Sequence, residues 1–274
     1  MRKALLVLLG ILTCLSLALT ACSKPETPNN DQTAGETSEP PKMKLVAVGE
    51  ATFAPFEFMD ITTNKPAGFD VDLIKAIGDA SGFDVEYKNI DWNSLIPALQ
   101  NKEADLIVSG MTVTDERALE VTFSDPYFTS GQAWAVPKDS PIKQLSDLSG
   151  KSVAVQINTT ADYAAQAVDE KFTGENKKGI TIKRLKNAAD IFNELKTGAV
   201  DAIICDLPVI QEYLKNNPDD EILIPEPAFT VEYYGIAMRK ADKEIHDLVN
   251  KGLAKIKADG KYEEIYEKYF GTKP

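Results

Sequence analysis

Apolar and polar positions along this chain switch between two periods, and each switch marks an element. Lys44 to Val48 is a short apolar run that predicts a strand. Phe69 to Gly82 sets Val71, Ile74 and Ile77 at helical spacing, and Asp84 to Tyr87 returns to a strand pattern. A helix follows over Leu95 to Asn101, with Pro97 in the first turn where a missing N–H is tolerated, then a strand over Asp105 to Val108. From Lys151 the rhythm starts again. It predicts strands over Ser152 to Val155, Ile180 to Lys183 and Asp201 to Ile204, and helices over Ala161 to Lys171 and Ala188 to Thr197. A strand over Thr230 to Met238 and a helix over Lys243 to Ala258 close the pattern.

The halves resemble one another. Asn93 to Asp105 and Asn187 to Asp201 each read as an Asn-capped helix returning to a strand that starts at Asp, and five residues beyond stand Gly110 and Asp206. The expected fold class is therefore α/β in two lobes: 44–129 with 232–274, and 130–231. Two crossovers, near Asp125 to Gly131 and Phe229 to Tyr234, would form a hinge. Carboxyl ends of strands line the crevice in open α/β sheets, so both lobes would present chemistry there.

Ahead of this body, Arg2 and Lys3 precede an apolar run from Ala4 to Leu19 that ends at Leu19-Thr20-Ala21-Cys22. That run is short for a bilayer span and reads as an export signal over 1–21, with Cys22 as the lipidated first mature residue. Residues 22–43, rich in Pro, Thr, Asn, Glu and Ser, cannot bury enough surface to fold and read as a tether. The expectation is an extracytoplasmic, lipid-anchored monomer.

Formal charge is -12, which disfavours nucleic acid as a partner. Of three cysteines, Cys14 falls in the signal and Cys22 takes the lipid, leaving Cys205, a buried strand residue by its apolar neighbours, and no internal disulfide. With one histidine, His246, neither a zinc site nor a Ser-His-Asp triad is credible, and no metal or cofactor is expected.

The candidate chemistry is that of two charged ligand ends. Arg117 offers a planar fork to a carboxylate, Thr112 a hydroxyl, and Thr159 and Thr160 precede a helix whose first amides bind anions. Asp206, at a strand terminus, would meet an ammonium; its rival role is to cap the turn before Pro208. Glu50, Phe53 and Trp92 would recognise a side chain, the aromatic pair sandwiching an aliphatic stem or a guanidinium.

The phrases Ala54-Pro-Phe-Glu-Phe58, Gly68-Phe-Asp-Val-Asp-Leu73, Ile96-Pro-Ala-Leu-Gln100, Gly110-Met-Thr-Val-Thr-Asp-Glu-Arg117, Phe123-Ser-Asp-Pro-Tyr127 and Tyr234-Gly-Ile-Ala237 resemble the solute-binding proteins of polar amino-acid ABC transporters, of the type II periplasmic-binding fold. The resemblance runs from Lys44 to Gly271. It implies that Arg117, Thr112, Thr159 and Thr160 hold an α-carboxylate, while Asp206 and the Gly110 carbonyl take an α-ammonium. It also places Phe53 and Trp92 at stacking positions and Glu50 where an acid meets a basic or amide side chain. Gln156 stands where glutamine-selective relatives are expected to carry lysine, and Asn158 replaces a customary glycine, a substitution that the left-handed region tolerates. The implied function is capture of arginine or lysine, then glutamine or histidine, for a permease and its ATPase. A dehydratase of the same fold, acting on prephenate or arogenate, is the enzyme alternative.

Overall fold

In the first sheet, the strand Met43–Gly49 pairs in parallel with Phe83–Asn89 on one side and Leu106–Ile107 on the other. A computed structural model describes residues 42–274; the signal, Cys22 and nearly all of the tether lie outside the described residues. The helix Phe69–Ser81 returns the chain between the first two strands, and Leu95–Gln100 leads to the third. The second sheet repeats this plan: Ser152–Gln156 lies between Thr181–Leu185 and Ala202–Asp206, all parallel, with helices Thr160–Gly174 and Ala188–Lys196 as the returns.

Each sheet is then extended by one antiparallel strand that follows a crossing, with a further short strand beyond it. Ala237–Met238 adds to Leu106–Ile107, and Thr122–Phe123 to its far side. Gln132–Pro137 adds to Ala202–Asp206, and Ile222–Leu223 to its far side. The crossings themselves pair as a two-stranded ladder, Phe128–Ser130 against Glu232–Tyr234, with Glu232 opposite Ser130 and Tyr234 opposite Phe128.

Three sequence expectations change. The strand expected over Thr230 to Met238 breaks at Gly235, because one half belongs to the ladder and the other to the first sheet. A side chain at Gly235 would press on Val113 and Phe123, so the bend needs glycine. Asn187 caps its helix by accepting from Asp190 N at 3.0 Å, but Asn93 does not cap: a 3-10 turn over Trp92–Ser94 precedes the helix, and Asn93 Oδ1 accepts from Asn158 at 2.8 Å instead. The small sheet of Thr52–Phe53, Glu57–Asp60 and Lys65–Ala67, and the helices Leu207–Asn216 and Lys261–Phe270, were not anticipated.

Lys261–Phe270 packs its aromatic stripe on the first lobe's core. Tyr262, Tyr266, Tyr269 and Phe270 all ring Phe69, which is fully buried, at 5.3 to 6.3 Å between centroids. Such aromatic contacts add to area burial. The helix Lys243–Ala258 crosses Phe69–Ser81 at Gly252, where a Cβ would lie 2.4 Å from Ser81 Oγ and 2.7 Å from Ile77 O. Ser81 donates to Leu248 O at 2.7 Å in the same contact. Gly252→Ala is therefore expected to destabilise the fold by about 1–3 kcal/mol through overpacking, seen as a lower urea midpoint at unchanged slope.

Candidate functional site

Four strand ends converge on one nearly closed cavity of about 20 Å³. Glu50 follows Met43–Gly49, Ser109 and Gly110 follow Leu106–Ile107, Gln156 ends Ser152–Gln156, and Asp206 ends Ala202–Asp206. Phe53, Trp92, Thr112, Arg117, Thr159 and Thr160 complete the wall, together with Glu57, so all ten residues singled out from the sequence line the same space. On the far side of Glu50 an open hollow begins, lined by Thr52, Asn89, Asp91 and Asn187 among others.

Arg117 lies in the short helix Asp115–Ala118, whose N-cap Thr114 accepts from Arg117 N at 3.2 Å. Its side chain turns inward and is only 8% exposed. Nη1 donates to Thr112 O at 2.8 Å, and the guanidinium carbon lies 5.1 Å from the centre of the Trp92 ring. Among the described residues it forms no ion pair. Burial pulls its pKa below the usual arginine value, the mark of a cation removed from water without full compensation. Across the cavity, Thr159 caps Thr160–Gly174 by accepting from Asp162 N at 3.3 Å, and the amides of Thr160 and Ala161 have no acceptor among the described residues. These are free donors at the positive end of a helix. Asn158, in place of glycine, adopts φ 60° in the turn before them.

Asp206 occupies the N-cap position of Leu207–Asn216 but makes no capping bond with its side chain. Instead Oδ1 accepts from Tyr234 Oη and, at 3.1 Å, from Ser130 Oγ, both on the crossing ladder. Burial first, and then the nearby Glu232, raise its pKa to about 6. Gly110 beside it has φ 49°, and a Cβ there would strike the Phe53 ring at 2.7 Å, so only glycine lets the backbone reach the cavity.

Glu50 is 7% exposed, and burial raises its pKa to about 7 against the lowering effect of its hydrogen bond from Gln156 Nε2. That bond ties the leading strand of one sheet to its counterpart in the other. Trp92 makes a second tie, its indole N–H donating to Asn158 O at 3.1 Å. One face of Trp92 is thus turned to Arg117 and does not serve the sandwich expected from the sequence.

Glu232 is the residue the sequence reading missed. It is 9% exposed and accepts at Oε2 from Thr112 Oγ1 and Thr160 Oγ1, both at 2.8 Å, and from Gln132 Nε2 at 3.2 Å. A hydroxyl has one proton. Thr112 and Thr160 therefore spend their protons on Glu232 and leave lone pairs on the cavity side. Strand alternation was the available signal, since Glu232 and Tyr234 share one face of their strand.

Among the described residues no cluster of His, Cys, Asp and Glu is arranged to hold a metal ion, and no helix is long and apolar enough to cross a membrane. Cys205 is buried and unpaired.

Comparison with known proteins gives the chain's relatives. The chain is 39% identical over 261 residues to a probable histidine-binding protein of Neisseria gonorrhoeae, covering 94% of this chain and 93% of the relative. It is 34% identical over 271 residues to the arginine-binding extracellular protein ArtP of Bacillus subtilis (strain 168), covering 98% of each. The solved structure of an ancestral arginine-binding protein bound to arginine superposes with a TM-score of 0.77 at 43% identity, covering 83% of this chain and 98% of that one. The architecture is the two-lobed α/β type II periplasmic-binding fold. The family model of the bacterial extracellular solute-binding proteins, family 3, matches residues 45–272, and the chain belongs to that family.

Proposed function

We infer that this protein is the substrate-binding component of an amino-acid ABC importer and takes a basic L-amino acid, arginine or lysine, ahead of glutamine or histidine. The observation that carries this reading is the buried Arg117, without an ion pair, in the same cavity as the buried carboxyl of Asp206. A zwitterion supplies both missing partners. Its carboxylate meets the Arg117 fork and the free amides of Thr160 and Ala161; its ammonium meets Asp206, the Gly110 carbonyl and the lone pair of Thr112. Glu50 then faces the far end of the side chain, with Phe53 along the stem. The names of the relatives, which bind histidine and arginine, support the same class of ligand.

The lobes are 44–129 with 232–274, and 130–231, and closure brings them together about the ladder of Phe128–Ser130 and Glu232–Tyr234. The protein works as a monomer outside the cytoplasm, held to the membrane by lipid on Cys22, and delivers its ligand to a permease with a cytoplasmic ATPase. Cys22→Ser is expected to move the protein from the membrane fraction to the soluble one and to remove the lipid mass from its N-terminal peptide; retention at the membrane would end the anchor assignment.

Arg117→Ala is expected to weaken every amino-acid ligand by a factor of about 30 or more in calorimetry, the scale of losing one member of a buried charged pair. Glu50→Gln is expected to weaken arginine and lysine while leaving glutamine nearly unchanged. Equal losses for arginine and glutamine would refute the role of Glu50. A dehydratase would also use a carboxyl with a pKa of about 7, as a general acid. Product from prephenate or arogenate that disappears in the same variant would establish that reading instead.

The two raised carboxyls separate the ligands by pH. Each must lose a proton to pair with a cation, so affinity falls as pH drops through the raised pKa. Arginine affinity is expected to weaken below about 7, approaching a factor of about ten per pH unit, whereas glutamine, which needs only Asp206, holds until about 6. Titrating both by calorimetry from pH 8 downward reads the two breaks.

A further inference from the structure

Beneath the cavity floor two fully buried carboxyl groups face each other. Glu57 starts the strand Glu57–Asp60 and Asp70 is the second residue of the helix Phe69–Ser81. Each gives one oxygen to the floor. Ser109 Oγ donates to Glu57 Oε1 at 2.7 Å, and itself accepts from Glu50 N at 3.0 Å. Gly110 N donates to Asp70 Oδ2 at 2.7 Å, and Tyr127 Oη donates to the same oxygen at 2.8 Å. The remaining oxygens, Glu57 Oε2 and Asp70 Oδ1, are cut off from solvent and have no partner, although the two side chains are within hydrogen-bonding reach of one another.

Two ionised carboxylates are acceptors only, and in contact they repel; one proton turns one of them into a donor and satisfies both orphaned oxygens. No cation among the described residues relieves the pair. The titratable groups that face it are Glu50, Tyr87, Tyr127 and Tyr262, all acids or phenols. The geometry points to a shared proton: Glu57 stays a neutral acid that donates through Oε2 to Asp70 Oδ1, and this pair positions Ser109 and Gly110 at the ligand cleft. Burial, and then the Asp70 charge, push Glu57 well above the usual carboxylate range. Both act as positioning residues, through the floor, for the ligand site proposed above.

Glu57→Gln reproduces the neutral acid, since its carbonyl accepts from Ser109 and its amide donates to Asp70. A folded-state pKa raised above the unfolded value contributes stability that is complete below the ordinary 4.5 and is lost as pH rises. Above the ordinary 4.5 the wild-type unfolding constant should therefore rise more steeply with pH than that of Glu57→Gln, approaching about tenfold more per pH unit, one proton's worth. Arginine affinity should stay within about twofold in Glu57→Gln and fall about tenfold or more in Glu57→Ala, which leaves Ser109 and Asp70 without their partner. In a Glu50→Gln background at pH 8, an infrared difference spectrum should still show a neutral carboxyl. Equal pH slopes, absence of that band, or failure of Glu57→Gln to fold would each overturn the shared proton, and full arginine affinity in Glu57→Ala would overturn the positioning role. The slope and the band are read without ligand, so they stand or fall apart from the ligand's identity.

Discussion

A guanidinium that meets almost no solvent and no carboxylate is the constraint around which this molecule is arranged. Burying an isolated charge costs several kcal/mol even after relaxation, so Arg117 is tolerated only because its surroundings offset part of that cost. The Thr112 carbonyl and the face of Trp92 contribute that offset, and the Thr114 cap fixes the short helix from which the side chain departs. None of these neutralises the charge. What remains is a standing attraction for an anion, reinforced from the other wall by the helix that begins at Thr160.

The ligand end of the site and the mechanical end share the same atoms. Asp206 is held by Tyr234 and Ser130, and Glu232 by Thr112, Thr160 and Gln132, so the crossing ladder touches both the Asp206 carboxyl and the hydroxyls of the cavity wall. Glu50 with Gln156, and Trp92 with Asn158, tie the two sheets together at the cavity rim. In the proposed function, a guest that alters any of these contacts would change the balance between the lobes, the route from binding energy to closure. The carboxyl pair under the floor holds Ser109 Oγ and Gly110 N by hydrogen bonds on the first lobe's side.

The parallel strands and their return helices were legible because each is a local pattern: an apolar run, a 3.6-residue stripe, an Asn or Thr at the right offset. Leu207–Asn216 was hidden behind Asp206, which was weighed as a turn cap; its carboxylate is in fact taken by the ladder, and Pro208 sits where a helix start accepts it. Lys261–Phe270 had its signal in Tyr262, Ile265, Tyr266, Tyr269 and Phe270, a helical stripe that went unread. The antiparallel direction of Gln132–Pro137 and Ala237–Met238 had none, because a fourth strand's direction depends on which sheet the crossing delivers it to.

At the site, the same division holds. Sequence alone determined the kinds of groups present, the two strand-end positions that repeat at Gly110 and Asp206, and the left-handed turn that Asn158 tolerates, because these follow from local backbone geometry and side-chain chemistry. Only the tertiary structure decided that Glu232 takes the protons of Thr112 and Thr160, that Trp92 covers Arg117, and that Glu57 meets Asp70. Those pairings join residues between 13 and 120 positions apart, and hydrogen-bond direction is set by which partner arrives, a fact no single stretch of chain contains.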